Sequence, residues 1–74
     1  PISLWDGATT VAIQGDTTKN GQPDNWTLVT YKKVHGMYYF VTGTVGIHEA
    51  AYQNGMFQQN YQRLVRGFSI TNPT

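Results

Sequence analysis

In the run GDTTKNGQPDNWT, residues 15–27, oxygen-bearing side chains recur at alternate positions around a glycine. Counted as a loop of twelve from Asp16, Thr18 falls at position three, Asn20 at five and Gly21 at six. Gln22 falls at seven, Asp24 at nine and Thr27 at twelve. Oxygen donors spaced in this way, with a glycine at the sharp bend, are what one loop needs to wrap a hard cation such as calcium. The charge count works against that chemistry. Asp16 and Asp24 are the loop's only carboxylates, and Lys19 adds a positive charge between them, which limits affinity to the millimolar class. Gly15-Asp16, Asn20-Gly21 and Pro23-Asp24 are each turn formers, so an ordinary polar loop between two strands is the expectation. Asp16, Thr18, Asn20 and Asp24 remain the calcium candidates.

The same run resembles EF-hand-type loops. It is more similar to thrombospondin type 3 and related bacterial extracellular loops, in which a Gly-x-Pro-Asp run and a Trp follow the acidic positions. Gly21, Pro23, Asp24 and Trp26 stand in those places. The resemblance covers residues 15–27 alone and implies calcium as the ligand of that loop. The chain departs from it with Thr18 and Thr27 where such loops carry an acid and a bidentate Glu.

Other chemistry is scarce. The titratable supply outside the lysines, arginines and tyrosines is Asp6, Asp16, Asp24, Glu49, His35 and His48. His48 and Glu49 are neighbours and point apart on a strand or a helix. Ser3 and Ser69 have no base close in sequence. No glycine-rich phosphate loop, nucleophile elbow or His-x-x-x-His ligand pair occurs. With no cysteine there is no disulfide, thiolate metal site or thiol nucleophile. Neither catalysis nor a cofactor is expected. Asn25-Trp26-Thr27 matches a glycosylation acceptor, but a Trp26 in the core would leave it unused.

The strongest structural signal is WTLVTYKKVHGMYYFVTGTV, residues 26–45, rich in β-branched and aromatic residues and broken once by His35-Gly36. A two-residue turn there predicts a hairpin pairing Val34 with Met37, Lys33 with Tyr38, Lys32 with Tyr39, Tyr31 with Phe40 and Trp26 with Val45. Period-two alternation then divides the hairpin into two faces. Trp26, Leu28, Val34, Met37, Tyr39, Val41 and Val45 share one, with Thr30 and Lys32, and form the expected core. Val29, Tyr31, Tyr38 and Phe40 share the other with Lys33 and several threonines. That second face is too aromatic for an ordinary wet surface. Packing on another element of the chain is the expectation and contact with another molecule the alternative, for which Tyr31, Lys33, Tyr38 and Phe40 are the interface candidates.

Elements on either side must position this hairpin. TTVAIQ alternates as a strand, and ISLWDGA reads as another ending at Asp6-Gly7. GIHEAAYQNG predicts a short helix over about 47–53, with Gly46 as N-cap and Asn54-Gly55 at its end. A hairpin pairing Tyr52 with Phe57 is the alternative. NYQRLVRGFSI fits a helix through Tyr61, Leu64, Val65 and Phe68, or a strand; a final strand from Leu64 to Ile70 is expected. The sum is a mainly β, antiparallel, sheet- or barrel-like single domain spanning residues 1–74, with one short helix.

Composition completes the reading. Charged residues are 12% and aromatics 14%, unlike a disordered chain and unlike a Lys- and Glu-rich surface. A net charge of +1 gives no general pull on nucleic acid or anionic membrane. The apolar runs are too short to span a bilayer, so no membrane partner is expected. The chain opens on Pro1, which implies an initiator Met or a leader removed. Seventy-four residues without a staple make a small core that a partner surface would support. The expectation is a non-enzymatic module assembling with identical copies or a larger scaffold through the aromatic face, edge strands or arms such as SITNPT. In composition it is similar to accessory proteins of phage virions, in capsid decoration or tails, so a virion or extracellular location is expected. Single-strand nucleic-acid binding, by rings interleaved with Lys32, Lys33, Arg63 and Arg66, is the first alternative. Carbohydrate binding through exposed rings and amides is the second.

Overall fold

The computed structural model describes residues 1–71. In chain order the elements are β1 (Ile2–Ser3), β2 (Thr9–Gly15), β3 (Asn25–Val34), β4 (Met37–Gly46), α1 (Ala50–Gln53), α2 (Met56–Arg66) and β5 (Ser69–Ile70). β2, β3 and β4 form one antiparallel sheet with β3 central, and β1 pairs with β5 in a second. The fold is therefore mainly β, as composition and alternation predict.

The hairpin forms in the expected register. All five predicted pairs hold, from Val34 opposite Met37 to Trp26 opposite Val45. His35 and Gly36 take φ values of 51° and 82°, the positive pair that matches a tight turn to the twist of its strands. TTVAIQ joins as β2, with Val11 opposite Val29 and Ile13 opposite Thr27. The early strand is shorter than expected, with only Ile2 and Ser3 paired, while the turn falls at Asp6-Gly7 as expected, closed by the Ala8 N–H to Trp5 carbonyl bond at 3.1 Å.

Two expectations about the second half need correction. The helix near 47–53 exists but begins at Ala50, with Glu49 rather than Gly46 as N-cap. The strand expected from Leu64 to Ile70 is replaced by α2 up to Arg66, leaving only Ser69 and Ile70 in a strand. Helical period wins because it brings Tyr61 and Val65 onto one seam, and both are buried there. Gly55, at φ 81°, reverses the chain between the helices, and Asn54 Oδ1 accepts the Met56 N–H at 2.9 Å. Arg63 and Arg66 fall in the last turn, where the helix dipole favours cations. The SITNPT arm is likewise not free along its first part. Ser69 and Ile70 pair with Ser3 and Ile2 of their own chain, while residues 72–74 lie outside the described residues.

The core lies between the hairpin and α2. Leu28, Val34 and Val45 of the hairpin are buried, as are Tyr61 and Val65 of α2 and Leu4 and Ile70 at the small sheet. Trp26 meets Tyr52 and Phe57 edge-on, at centroid distances of 5.1 and 6.1 Å. A glycine admits the helix: a Cβ on Gly43 would lie 2.9 Å from the Tyr61 ring. Thr30, fully buried, is satisfied through a hydroxyl chain. The Tyr61 hydroxyl lies 2.9 Å from the Val41 carbonyl oxygen and 2.8 Å from Thr30 Oγ1, which is 2.8 Å from Thr10 Oγ1. A carbonyl only accepts, so one set of protons serves the chain when Thr10 donates to Thr30, Thr30 to Tyr61 and Tyr61 to Val41.

The sheet stays open among the described residues and does not close into a barrel, because β2 and β4 remain at opposite edges. The molecule measures 44 × 23 × 15 Å, with a radius of gyration of 14.3 Å. A compact domain of this length would have a radius near 11 Å. One sheet and one helical layer account for the thin dimension, so much of the sheet has only one covered side.

Candidate interaction face

The face of the sheet turned away from α2 is set by register. Thr9, Tyr31 and Phe40 form one row across β2, β3 and β4; Val11, Val29 and Thr42 form the next; Ile13, Thr27 and Thr44 a third. Lys33 and Tyr38 extend the face toward the hairpin tip. The four sequence candidates, Tyr31, Lys33, Tyr38 and Phe40, are thus brought together on one surface. Val11 and Ile13 belong to it as well, and they were not among those candidates. The alternation in TTVAIQ, with β2 paired to β3, was the signal that could have found them.

No element among the described residues packs on this face. Phe40 is 67% exposed and Tyr38 64%, while Tyr31, Val11 and Ile13 are also exposed. Of the two fates open to the aromatic face, cover by another element of the chain is the one the fold does not provide. Local interactions hold the side chains upright. Lys33 Nζ stands 5.6 Å from the Tyr38 ring centroid, as a cross-strand Lys–Tyr neighbour does. Thr27 and Thr44 hydroxyls bond at 2.9 Å.

The remaining cations lie elsewhere. Lys32, on the core face, donates from Nζ to the Ser3 and Asp6 carbonyl oxygens and so ties the first turn to β3. Arg66 stands over Trp5 with its guanidinium 5.2 Å from the ring. Lys33 is the cation that accompanies the exposed rings.

The calcium candidates have other partners. Asp24 accepts from the Thr17 N–H at 2.8 Å, the Thr17 hydroxyl at 2.7 Å and the Thr18 N–H at 3.1 Å. Asp16 accepts from the Gly21 N–H at 2.7 Å and the Asn20 N–H at 3.2 Å, with the Thr18 hydroxyl at 3.4 Å. Asn20 Oδ1 accepts the Gln22 N–H at 2.9 Å. The carboxylates thereby close the loop on its own amides. Thr27, at the twelfth position, lies in β3 and bonds Thr44, away from the loop. The bonds from Thr17, its hydroxyl first, hold the Asp24 carboxyl below its ordinary pKa of 3.8, against a smaller opposing effect of desolvation.

The other polar candidates are dispersed. His35 occupies the hairpin tip and is exposed, as is His48. Glu49 accepts the Gly46 N–H at 2.7 Å. Among the described residues no three of His, Asp and Glu gather where they could hold a metal ion. No helix there is long and apolar enough to cross a membrane. No family model, no curated protein and no solved structure matches the chain.

Proposed function

We propose that the protein is a non-enzymatic assembly module that associates with copies of itself, or within a larger protein scaffold, through the outer face of its sheet. What supports the reading is the contiguous exposed patch of Val11, Ile13, Tyr31, Tyr38 and Phe40, left uncovered on a sheet whose opposite side carries the core. Each large apolar side chain transferred from water gains about 1.5–3 kcal/mol, so a few such chains suffice to drive weak association. A single cation among the rings gives little counterion release, which weighs against a nucleic-acid platform. A place in a virion shell or tail suits the low charge and the high content of Thr, Gln and Asn.

The test is solution mass by light scattering across a concentration series, for the native chain and for Phe40→Asp and Ile13→Asp. Both side chains are exposed, so both variants should keep the native circular dichroism and lose mass relative to the native chain. A native chain that stays monomeric while binding an oligonucleotide or a glycan array would replace this reading with one of its rivals.

A further inference from the structure

The two open edges of the sheet differ in what lies beneath them. Within this sheet α2 comes nearest β4, and its Tyr61 and Phe57 reach over to Thr30 and Trp26 of β3. Leu64 and Phe68 line a groove of about 410 Å³ together with Val41, Gly43 and Phe57, yet they are 67% and 50% exposed. They are uncovered because the sheet ends at β4. Beneath β2 no helix lies, and Thr10, Ala12 and Gln14 face solvent.

The backbone of that edge is open as well. The Ile47 N–H bonds the Asp24 carbonyl at 3.1 Å, continuing the β3–β4 ladder and fixing its parity. Odd-numbered residues of β4 therefore bond β3, and the N–H and C=O groups of Tyr38, Phe40, Thr42, Thr44 and Gly46 point outward. Gly46 is closed off locally: its N–H donates to Glu49 and its carbonyl accepts the Glu49 N–H at 3.0 Å. From Tyr38 to Thr44 the described residues supply no partner.

We infer that this edge takes β4 of a second copy, antiparallel, about a two-fold axis near Thr42, merging two sheets into one of six strands with both α2 helices beneath it. The inference rests on the self-association proposed above and adds to it an edge contact distinct from the outer face. A row of alternating donors and acceptors is satisfied by another strand. Self-pairing meets no obstacle of charge or missing donor, because β4 contains no charged residue and no proline, the usual guards of an exposed edge. An axis at Thr42 sets Val41 beside Gly43 of the second copy. The incoming strand then roofs Leu64 and Phe68, and the absent side chain leaves room for them. Phe40 and Phe68, each of about 150–250 Å² and at least half exposed, contribute with Leu64 and the strand backbone several hundred Å² per copy. That is the order of the ~800 Å² per partner of a standard stable interface.

Amide hydrogen exchange by NMR, run beside light scattering over the same concentrations, tests this. As mass rises to that of a dimer, the Phe40, Thr42 and Thr44 amides should become protected while Thr10, Ala12 and Gln14 stay open. Thr42→Pro removes an outward N–H that the β3 ladder does not use, and should leave a folded monomer with those amides open. Should the ring disturb the strand, Leu64→Lys on the exposed overhang provides the same reading, with dimer lost at concentrations where the native chain forms it. A dimer whose β4 amides exchange freely, or one protected at β2 instead, overturns the edge pairing while leaving association through the outer face standing. Protected β4 amides in a native dimer whose mass Ile13→Asp does not change would uphold the pairing and remove the outer face. A native chain monomeric at every concentration overturns both.

Discussion

The inner and outer faces of the β2–β3–β4 sheet draw on the same residue types, yet one is sealed and the other bare. Inside, Leu28 and Val34 pack in one cluster with Tyr61 and Val65. Outside, Val11, Ile13, Tyr31, Tyr38 and Phe40 meet solvent. The difference lies in what the chain can bring to each side. Among the described residues a single helix of eleven residues is available, and Gly43 opens a place for its rings on the inner side. The outer side of β4 carries Phe40, Thr42 and Thr44 in the corresponding rows, whose side chains stand where a helix would have to approach. Burial here follows from where the one long helix can fit, so hydrophobic content alone does not distinguish core from interface.

The same charge placed on each face should have very different consequences. Val65 is fully buried, so Val65→Asp should abolish cooperative folding, since an unpaired buried carboxylate costs several kcal/mol in a domain of this size. Ile13→Asp should shift the thermal midpoint little, because exposed substitutions away from special contacts stay within about 0.5 kcal/mol. Thermal unfolding followed by circular dichroism compares them directly. Equal losses would mean that the outer face is buried in the folded unit and that self-association is part of folding.

A milder version uses adjacent residues. Gly43→Ala pushes a methyl against the Tyr61 and Phe57 rings, 2.9 and 3.3 Å from the new carbon, and should destabilise by about 1–3 kcal/mol. Thr42→Ala, one residue earlier and on the other face, should cost less than about 0.5 kcal/mol in the monomer. Urea midpoints measured at low concentration, where association is absent, would check both. A Gly43→Ala midpoint matching the native one would show that α2 sits farther from β4 than the ring contacts imply.

The hairpin was legible because its evidence is local. Alternation from Trp26 to Val45 and a turn pair at His35-Gly36 specify register, and register alone gathers Tyr31, Lys33, Tyr38 and Phe40. α2 was less legible because NYQRLVRGFSI carries both periods: Leu64, Phe68 and Ile70 alternate, while Tyr61, Val65 and Phe68 repeat helically. The choice is made by contacts distant in sequence, Tyr61 to Thr30 and Val41. Gly43 was a readable hint of that contact, as a glycine inside a β-branched strand marks a close approach. The roof over one face and not the other had no local signal, nor did the capture of Lys32 by the Ser3 and Asp6 carbonyls.

The loop between β2 and β3 offers the smallest and most local test, because β2 contributes to the bare face but has no helix beneath it. Its attachment rests on the ladder to β3 and on the Asp24 bonds that close the loop, together with the Asp24 N–H to Gly15 carbonyl bond at 2.8 Å. The folded carboxyl titrates below its ordinary value of 3.8, so its contribution is complete above that value and is lost as pH falls through the lowered one. Acidification should therefore loosen Thr17 and Thr18 first and β2 next, while α2 and the β3–β4 ladder hold. Amide protection factors, which remove the intrinsic pH dependence of exchange, follow this residue by residue. Asp24→Ala should show the loosened loop already at neutral pH and flatten the acid dependence. Uniform loss across β2 and α2 would mean that the bare strand is coupled to the core as tightly as the covered ones, and that the two faces unfold as one unit.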